Sequence, residues 1–179
     1  ATVLKMNRES TRDEAIAVFL EEVSCEQADL ILLAGDFNEP SHLDWNEATR
    51  EKWDHNGCVV PWDCSMQLYE AGFRDAYRVI HPDPTMYPGF TYPSDNPEKE
   101  IKDLTWAPEA DQRQRIDFVY YMSDGAFVPK DAVLVGPSSS IVRNERVQDA
   151  GNDTFIEPLG VWPTDHKGVL VTFKSVRKN

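Results

Sequence analysis

The most apolar run of the chain is Ala28-Asp-Leu-Ile-Leu-Leu-Ala34, and Gly35-Asp-Phe-Asn38 follows it directly. A continuous apolar run of this length predicts a β-strand that is buried on both faces of its sheet. Asp36 and Asn38 lie two residues apart, so in extended backbone their side chains project to the same side. Gly35 permits a turn or a close approach of the backbone. A carboxylate and an amide therefore leave the carboxyl end of a buried strand, where open α/β sheets bind ligands.

The segments around this strand indicate an α/β protein. Apolar residues at helical spacing predict a helix from about Arg12 to Val23, and Thr11 with Glu14 has the spacing of a capping box. A helix that leads straight into a buried strand is typical of α/β folds. Residues with β-branched or aromatic side chains predict further strands at 90–92, 115–121, 128–135 and 169–173.

The rest of the chain is interpreted as part of the same domain, which covers residues 1–179 without a repeat or a linker. A short helix is expected from a cap at Asp63 or Ser65 to a stop at Gly72. The segment 73–80 is open between a strand and a turn. Prolines recur throughout 81–114, so this region is expected to be mostly loop.

The composition limits the partners of the protein. The chain has 31 acidic and 18 basic residues and a formal net charge of −13. Binding to long nucleic acid needs clustered Lys and Arg, so this balance disfavours it, although a nuclease that uses metal ions stays open. No apolar run approaches the roughly 20 residues of a membrane span. Cys25, Cys58 and Cys64 lack metal-type spacing, and free thiols are expected over a Cys58–Cys64 disulfide.

Three polar segments lie where predicted strands begin or end, and each has a structural explanation beside a functional one. The segment after the first strand suits a ligand site, but Asp and Asn also form turns by bonding their own backbone. Asp117 lies inside a strand, where burial requires a partner, and Arg115 or another basic residue can provide one in a simple salt bridge. Asp165 and His166 precede the last strand and suit a metal ligand beside an acid–base group, or a capped turn with an exposed His.

Together, Gly35-Asp-Phe-Asn38, Arg115-Ile-Asp-Phe-Val-Tyr120 and Thr164-Asp-His166 resemble the three motifs in the C-terminal half of the endonuclease/exonuclease/phosphatase superfamily, the deoxyribonuclease-I-like hydrolases. Thr164 stands where the family usually has Ser. The segments 72–82 and 89–92 resemble the usual lead-in to the second motif, so the resemblance covers nearly the whole chain. It implies part of a four-layered α/β sandwich, with mixed, largely antiparallel sheets flanked by helices.

The resemblance also implies hydrolysis of phosphoric ester bonds by in-line attack of water, with Mg²⁺ or Mn²⁺ as the cofactor. Asp36 would orient and deprotonate the water, and Asn38 would hold that water or the phosphate. Asp117 would orient His166, whose imidazole would contact a non-bridging phosphate oxygen. The implied metal ligands are Asp165, Asp36 and Asn38, and hard divalent cations do prefer oxygen ligands.

The family's N-terminal half normally adds an Asn, a metal-binding Glu and a His or Tyr, and Asn7 is the only early candidate here. The chain is therefore expected to be the C-terminal portion of such a domain, with little activity on its own. The apolar face that normally packs on the other half would then support a homodimer. The alternative from another functional class is a non-catalytic scaffold or binding fragment.

Substrate choice is expected to depend on two long irregular segments, residues 39–62 and 86–106. Their aromatic side chains can stack a base or a sugar, but closing a small core beneath each loop is the favoured interpretation. The acidity of the chain favours a small phosphoester or a lipid head group over long nucleic acid. Four basic residues can contact phosphate or balance neighbouring acids: Lys99, Lys102, Arg113 and Arg115. Three acidic residues are interpreted as solvated surface: Asp149, Asp153 and Glu157.

Overall fold

The computed structural model describes residues 2–176, which form a mixed α/β fold with mostly antiparallel sheets, as the sequence implies. The helices are α1 (Thr2–Arg8), α2 (Arg12–Val23), α3 (Asp63–Glu70) and α4 (Ala76–Ile80), with a 3₁₀ turn at Ile101–Asp103. The strands are β1 (Leu30–Asp36), β2 (Arg74–Asp75), β3 (Asp117–Ser123), β4 (Phe127–Val135), β5 (Ser139–Val142), β6 (Glu145–Gln148), β7 (Phe155–Ile156) and β8 (Gly168–Ser175).

The first sheet determines where two aspartates lie. β1 and β2 pair antiparallel with opposite edges of β3, which gives the order β1-β3-β2. In this register Asp36, at the end of β1, lies directly opposite Asp117, at the start of β3. Residues that lie directly opposite in an antiparallel pair project to the same face of the sheet. The register therefore places the two carboxylates side by side.

The core of this sheet lies on the face that α2 and α3 cover. Leu68 and Phe118 are buried there, and Leu33 of β1 packs against them. The prediction that β1 is buried on both faces is wrong. Leu32 is half exposed and Ala34 is exposed. Successive residues of a strand point to opposite faces, and the helices α2 and α3 pack on only one of these faces.

The second sheet has the order β7-β4-β8, with β8 antiparallel and β7 parallel to β4. β5 and β6 form a separate antiparallel hairpin. The rings of Tyr121 on β3 and Phe173 on β8 are in edge contact, with centroids 5.3 Å apart, so the two sheets meet. β8 begins two residues after His166. The pairing of β8 with β4 therefore fixes the end of the loop that carries His166.

Two of the predicted helix caps are absent. Thr11 does not cap α2, because its backbone is left-handed (φ 58°) and its side chain makes no capping hydrogen bond. Trp62 occupies the cap position of α3, so neither Asp63 nor Ser65 caps this helix. Gly72 does follow the end of α3 with a left-handed backbone (φ 100°), as predicted for a helix stop.

The connections differ from the prediction in two places: residues 90–92 contain less regular structure than predicted, and residues 73–80 contain a strand and a helix. Residues 90–92 form only an isolated bridge between Tyr92 and Gln114, because the next N–H that could extend the pairing, that of Ser94, donates to the Asp165 carbonyl. The open segment 73–80 forms β2 and then α4, which Asp75 caps through the N–H groups of residues 77 and 78. All three cysteines are free, as expected. No helix within residues 2–176 is both long and apolar enough to cross a bilayer.

A buried network of four charged side chains ties the loop after β1 to the strands around it. Arg78 Nε donates to Asp44 Oδ1 at 2.6 Å, and Arg115 Nη2 donates to Asp44 Oδ2 at 2.7 Å. Arg115 Nη1 lies 2.6 Å from Asp75 Oδ2. The charges compensate one another away from water, since the Arg115 side chain is 1% exposed. Arg115 therefore balances these acids and does not pair with Asp117.

The interpretation of the acidic segment as solvated surface is wrong for two of its three members. The Asp149 side chain is 2% exposed, accepts from Lys167 Nζ at 2.5 Å and lies 3.2 Å from Arg113 Nη1. Asp153 is shielded from water, and this burial raises the pKa of its carboxyl group. Glu157 alone is exposed. Asp149 is the partner of two basic residues, whereas Asp153 accepts from the Tyr77 hydroxyl and from Gly89 N.

Candidate metal centre

The end of β1 and the start of β3 lie side by side in the first sheet, and each carries an aspartate there. Asp36 closes β1 and Asp117 opens β3. His166 lies just before β8, and its Nδ1 is 2.9 Å from Asp117 Oδ2. One potential ligand atom from each of these three residues lies within 4.8 Å of the other two. Three candidate site residues that are far apart in the chain thus lie together, with the Asp117–His166 contact that the motifs imply.

The loop around His166 holds its ring beside Asp117. Trp162 Nε1 donates to the His166 carbonyl at 2.6 Å, and the His166 N–H donates to Thr164 Oγ1 at 3.2 Å. The Tyr92 ring packs against the imidazole, with centroids 5.0 Å apart. Tyr92 belongs to the irregular segment on which substrate choice is expected to depend, but its packing on His166 joins separate loops, which no local pattern indicates. Trp162 lies four residues before His166 and acts within the same loop.

The surroundings of His166 favour its protonated form. The hydrogen bond to Asp117 is the largest influence and raises the pKa of His166 above its ordinary value. Partial burial opposes this by penalising the charged ring, whereas the negative charges of Asp117, Asp36 and Asp165 support it. The imidazolium is therefore more populated here than in a free histidine at the same pH.

The Asp36 carboxylate is oriented by the residue two positions later. Asn38 has a left-handed backbone (φ 47°), its N–H donates to Asp36 Oδ1 at 2.7 Å, and its Nδ2 donates to Asp36 Oδ2 at 2.8 Å. The turn that was the structural explanation for this segment is therefore present. It does not use up the carboxylate, which offers about four lone pairs when ionised. Asp36 is exposed and can bind a cation in addition.

Asp165 lies outside this cluster, although the resemblance makes it a metal ligand. Its carbonyl accepts from Ser94 N at 2.6 Å, which fixes the backbone of the loop. With the backbone held in this way, the two neighbouring side chains diverge: His166 faces Asp117, and the Asp165 carboxylate accepts from Thr164 Oγ1 at 3.3 Å. Asp165 borders a separate depression next to Lys99. The charge of Asp165 still acts on the pKa of His166.

A cleft of about 580 Å³ opens beside the cluster. Its wall includes Asn38 and His166 from the site and Arg12 from the start of α2. Trp106 lies on the cleft and is 89% exposed. The volume falls in the range of small-molecule sites in proteins. Three amide side chains also line the cleft, namely Asn7, Gln112 and Gln114.

Most aromatic residues of the two long irregular segments close small cores, which was the favoured interpretation. Trp45 stacks on His55 with centroids 3.8 Å apart, and Trp53 meets Phe90 edge-on at 5.0 Å. Trp106 differs from them because its side chain is almost fully exposed to solvent. Trp106 is therefore the aromatic side chain of these segments that is most accessible to a ligand in the cleft.

Comparison with known proteins finds a partial relative and no family. The chain is similar to an uncharacterized protein of Caenorhabditis elegans, with 39% identity over 99 residues. The match covers 55% of this chain and 29% of the relative, so it spans less than a third of that protein. No protein-family model matches the chain. The functional inference therefore depends on the geometry and chemistry of the site.

Proposed function

We propose that the chain carries the site of a divalent-metal-dependent hydrolase of phosphoric ester bonds, of the endonuclease/exonuclease/phosphatase type that its motifs resemble. The observation that supports this most is the meeting of Asp36, Asp117 and His166 within 4.8 Å beside a cleft. Two carboxylates suit a divalent cation and a water nucleophile, and the imidazole beside them suits contact with a phosphate oxygen.

The cation in this proposal is Mg²⁺ or Mn²⁺. Asp36 and Asn38 supply oxygen ligands, as does the Asp117 oxygen that is not bonded to His166. Asp117 thus takes the place that the resemblance gives to Asp165. When bound, the cation supplies Lewis-acid polarisation of the phosphate and a lowered pKa for water.

The side chains divide the remaining tasks of hydrolysis. Asp36 orients the attacking water and accepts its proton as a general base. Asp117 Oδ2 accepts a hydrogen bond from Nδ1–H of His166, which leaves Nε2 for a ligand. In the imidazolium form Nε2–H donates to a non-bridging phosphate oxygen and stabilises the negative charge that develops there. In the protein without a metal ion, the contact with Asp117 raises the pKa of His166 and favours this protonated form.

The substrate class that fits is a small phosphoester or a lipid head group. The cleft has the size of a small-ligand site, and its amide and aromatic residues can bind the group esterified to the phosphate. Long nucleic acid would bring many phosphates against a chain of net charge −13, without the clustered basic residues that release counterions.

Catalytic variants of the full-length protein test the proposal against a panel of phosphomonoesters and phosphodiesters with Mg²⁺. Asp36→Asn and His166→Gln are each expected to lower kcat by about 10²-fold or more, the usual loss for an acid–base or electrostatic group. Asp131→Asn, a change of an exposed aspartate on β4, is the matched control and is expected to keep full activity. Full activity in either site variant would show that chemistry occurs elsewhere.

Metal binding provides a test that does not depend on knowing the substrate. Mn²⁺ is expected to broaden the NMR signals of residues 36, 117 and 166 first, and Asp36→Asn is expected to weaken this binding. Absence of Mn²⁺ binding at this cluster in the full-length protein would exclude the proposed metal centre. The result would then favour the non-catalytic scaffold.

A further inference from the structure

Arg12 connects the carboxylate cluster with the cleft. It is the first residue of α2 and lines the cleft that Asn38 and His166 also border. It also lines a smaller pocket of about 260 Å³, which Asp36 borders. Arg12 and His166 therefore belong to the wall of one cleft.

Arg12 pairs with no carboxylate among residues 2–176. Arg8, in contrast, is neutralised by Asp63 at 2.8 Å. Arg12 instead donates from Nη1 to Asn7 Oδ1 at 3.3 Å, and a neutral amide does not itself neutralise the guanidinium. In a chain of net charge −13, a cation without an acidic partner on a cleft wall is available for an anionic ligand.

The stability of α2 does not explain an arginine at this position. The helix dipole disfavours positive charge in the first turn of a helix. The preceding residue, Thr11, has a left-handed backbone (φ 58°) that β-branched residues rarely adopt, and it makes no capping hydrogen bond. Backbone strain of this kind is found preferentially at ligand sites. The segment thus gives up local helix stability while it presents Arg12 to the cleft.

A buried chain of hydrogen bonds orients Arg12. Glu39 directly follows Asn38 and is 1% exposed; its Oε1 accepts from Cys64 N at 2.7 Å, and its Oε2 accepts from Asn7 Nδ2. Because the amide nitrogen of Asn7 is bonded to Glu39, its carbonyl oxygen is left to accept from Arg12. Asn7 itself is 8% exposed. The loop after β1 and the helix α1 therefore hold the guanidinium in place.

We propose that Arg12 binds the non-bridging oxygens of the substrate phosphate and that Asn7 and Glu39 position it, an inference that rests on the proposed function. The two carboxylates of the cluster offset the charge of a divalent cation, so Arg12 and His166 supply the further positive charge that attracts a phosphate anion. A guanidinium presents two parallel N–H donors to phosphate, whereas an ammonium acts as a point charge.

Titration calorimetry of inorganic phosphate into the full-length protein, with saturating Mn²⁺, tests the role of Arg12. Arg12→Ala is expected to weaken phosphate binding by about tenfold or more, since charge-assisted hydrogen bonds are lost. Arg12→Lys retains only part of the affinity, and Arg12→Gln replaces the alanine variant if that does not fold. Arg50→Ala is the matched control, because Arg50 pairs with Glu47 and Glu51 on the surface, and it leaves the affinity unchanged.

The positioning role of Asn7 has its own readout. Asn7→Ala is expected to weaken phosphate binding when Arg12 is present and to have no further effect in the Arg12→Ala background, because the two act through one contact. Equal effects in both backgrounds would overturn the positioning role.

Two results separate this inference from the proposed function. Unchanged phosphate affinity in Arg12→Ala, with Mn²⁺ binding intact, would overturn the role of Arg12 and leave the metal centre standing. Binding of Mn²⁺ but not of phosphate by the wild-type protein would likewise overturn the role of Arg12 and leave the metal centre standing. Failure of the wild-type protein to bind Mn²⁺ would overturn the proposed function itself.

Discussion

The hydrogen bond between Asp117 and His166 gives different tasks to the two imidazole nitrogens. Nδ1 is bonded to Asp117 Oδ2, so Nε2 is the nitrogen left for a ligand. A neutral ring with its proton on Nδ1 offers a lone pair to a metal, whereas the imidazolium offers an N–H to a phosphate oxygen. The raised pKa of His166 favours the second form. His166 is therefore better suited to contact phosphate than to bind the cation.

Replacing Asp117 with Asn is expected to lower the pKa of His166 in the metal-free protein. The change removes the negative charge of Asp117 and weakens the hydrogen bond that raises this pKa, while the burial that lowers it remains. Because the folded pKa of wild-type His166 lies above the unfolded value, the pair stabilises the fold fully below the unfolded pKa. This stabilisation is lost as the pH rises through the folded pKa. NMR titration of the ring protons measures the shift.

Asp131→Asn is the control for this titration, since Asp131 is exposed on β4 and bonds its own neighbouring N–H. It is expected to leave the His166 titration where it is in the wild type. A His166 pKa that stays raised in Asp117→Asn would show that the Asp117 carboxylate is not its cause.

His55 is expected to make the fold less stable in acid, whereas the Asp117–His166 pair stabilises the fold at low pH. His55 is 4% exposed and stacks on Trp45, and burial is the largest influence lowering its pKa. The unfolded chain then takes up a proton at a higher pH than the folded chain, so stability falls as the pH drops below about 6.5. The limiting slope for one proton is about 1.4 kcal/mol per pH unit, down to the folded pKa.

Urea unfolding between about pH 7.5 and about pH 5.5 measures this contribution. His55→Phe retains an aromatic ring in the stack but cannot be protonated, so it is expected to lose less stability over this range than the wild type. Tyr69→Phe, a change at a half-exposed tyrosine, is expected to keep the wild-type pH dependence. Identical slopes for His55→Phe and wild type would assign the acid sensitivity to other groups.

At the scale of the elements, ion pairs connect the segments that carry the site. Asp44 comes from the loop after β1, Asp75 from β2, and Arg115 from the residues that lead into β3. Breaking a buried pair is costly because the remaining charge stays buried without compensation. The position of Asp117 therefore depends on charges that lie away from the cleft.

Asp44→Ala is expected to lower the free energy of unfolding by about 3–5 kcal/mol, because both Arg78 and Arg115 lose a partner inside the protein. Urea denaturation of the metal-free protein measures this loss. Glu109→Ala is the matched control, since Glu109 is exposed, and it is expected to leave stability unchanged. A similar small loss in both variants would mean that water reaches and solvates the two guanidiniums.

Elements with a regular apolar pattern are predictable from the sequence, since spacing is a local property. α2 is predicted at the bounds it has, and β1, β3, β4 and β8 are each predicted within two residues. The hairpin of β5 and β6 is missed because polar contacts between distant segments hold it, such as Arg146 Nε to Asp95 Oδ1 at 2.8 Å. The burial of β1 is misjudged because it depends on which faces the helices cover.

The same limit applies to the candidate site. The positions of Asp36 and Asp117 follow from two strand ends whose pairing places them opposite each other. The sequence does not show that Asp165 lies outside the cluster while its neighbour His166 lies within it. The backbone of this loop is held by the hydrogen bond from Ser94 N, in another loop, to the Asp165 carbonyl. The contact of Asn7 with Glu39 likewise joins α1 to the loop after β1, and no spacing rule connects them.

At the scale of the whole molecule, the net negative charge determines which molecules can approach the surface. The net charge of −13 repels other acidic molecules, and salt screens this repulsion over about 8–10 Å at moderate ionic strength. The repulsion also applies between two copies of the chain. Any apolar attraction between copies must therefore compete with it, and the balance depends on salt.

The exposed face of β1 is the place where such attraction is expected. Leu32 is 50% exposed and Ala34 is also exposed, so apolar surface remains open on the side opposite α2 and α3. Contact between two such faces buries apolar area and stabilises a homodimer in proportion to that area. We expect the protein to be monomeric at low salt and to associate as salt screens the charge.

Sedimentation velocity at increasing salt and protein concentration tests this expectation. Leu32→Glu is expected to abolish association, because it places a charge in the apolar contact and adds to the repulsion between copies. Val18→Glu is the matched control: it adds the same charge at a residue that is 57% exposed on α2, away from this face, and it lowers association only through net charge. High salt should therefore restore the dimer of Val18→Glu but not that of Leu32→Glu. Equal recovery of both variants would mean that the β1 face is not where two copies meet.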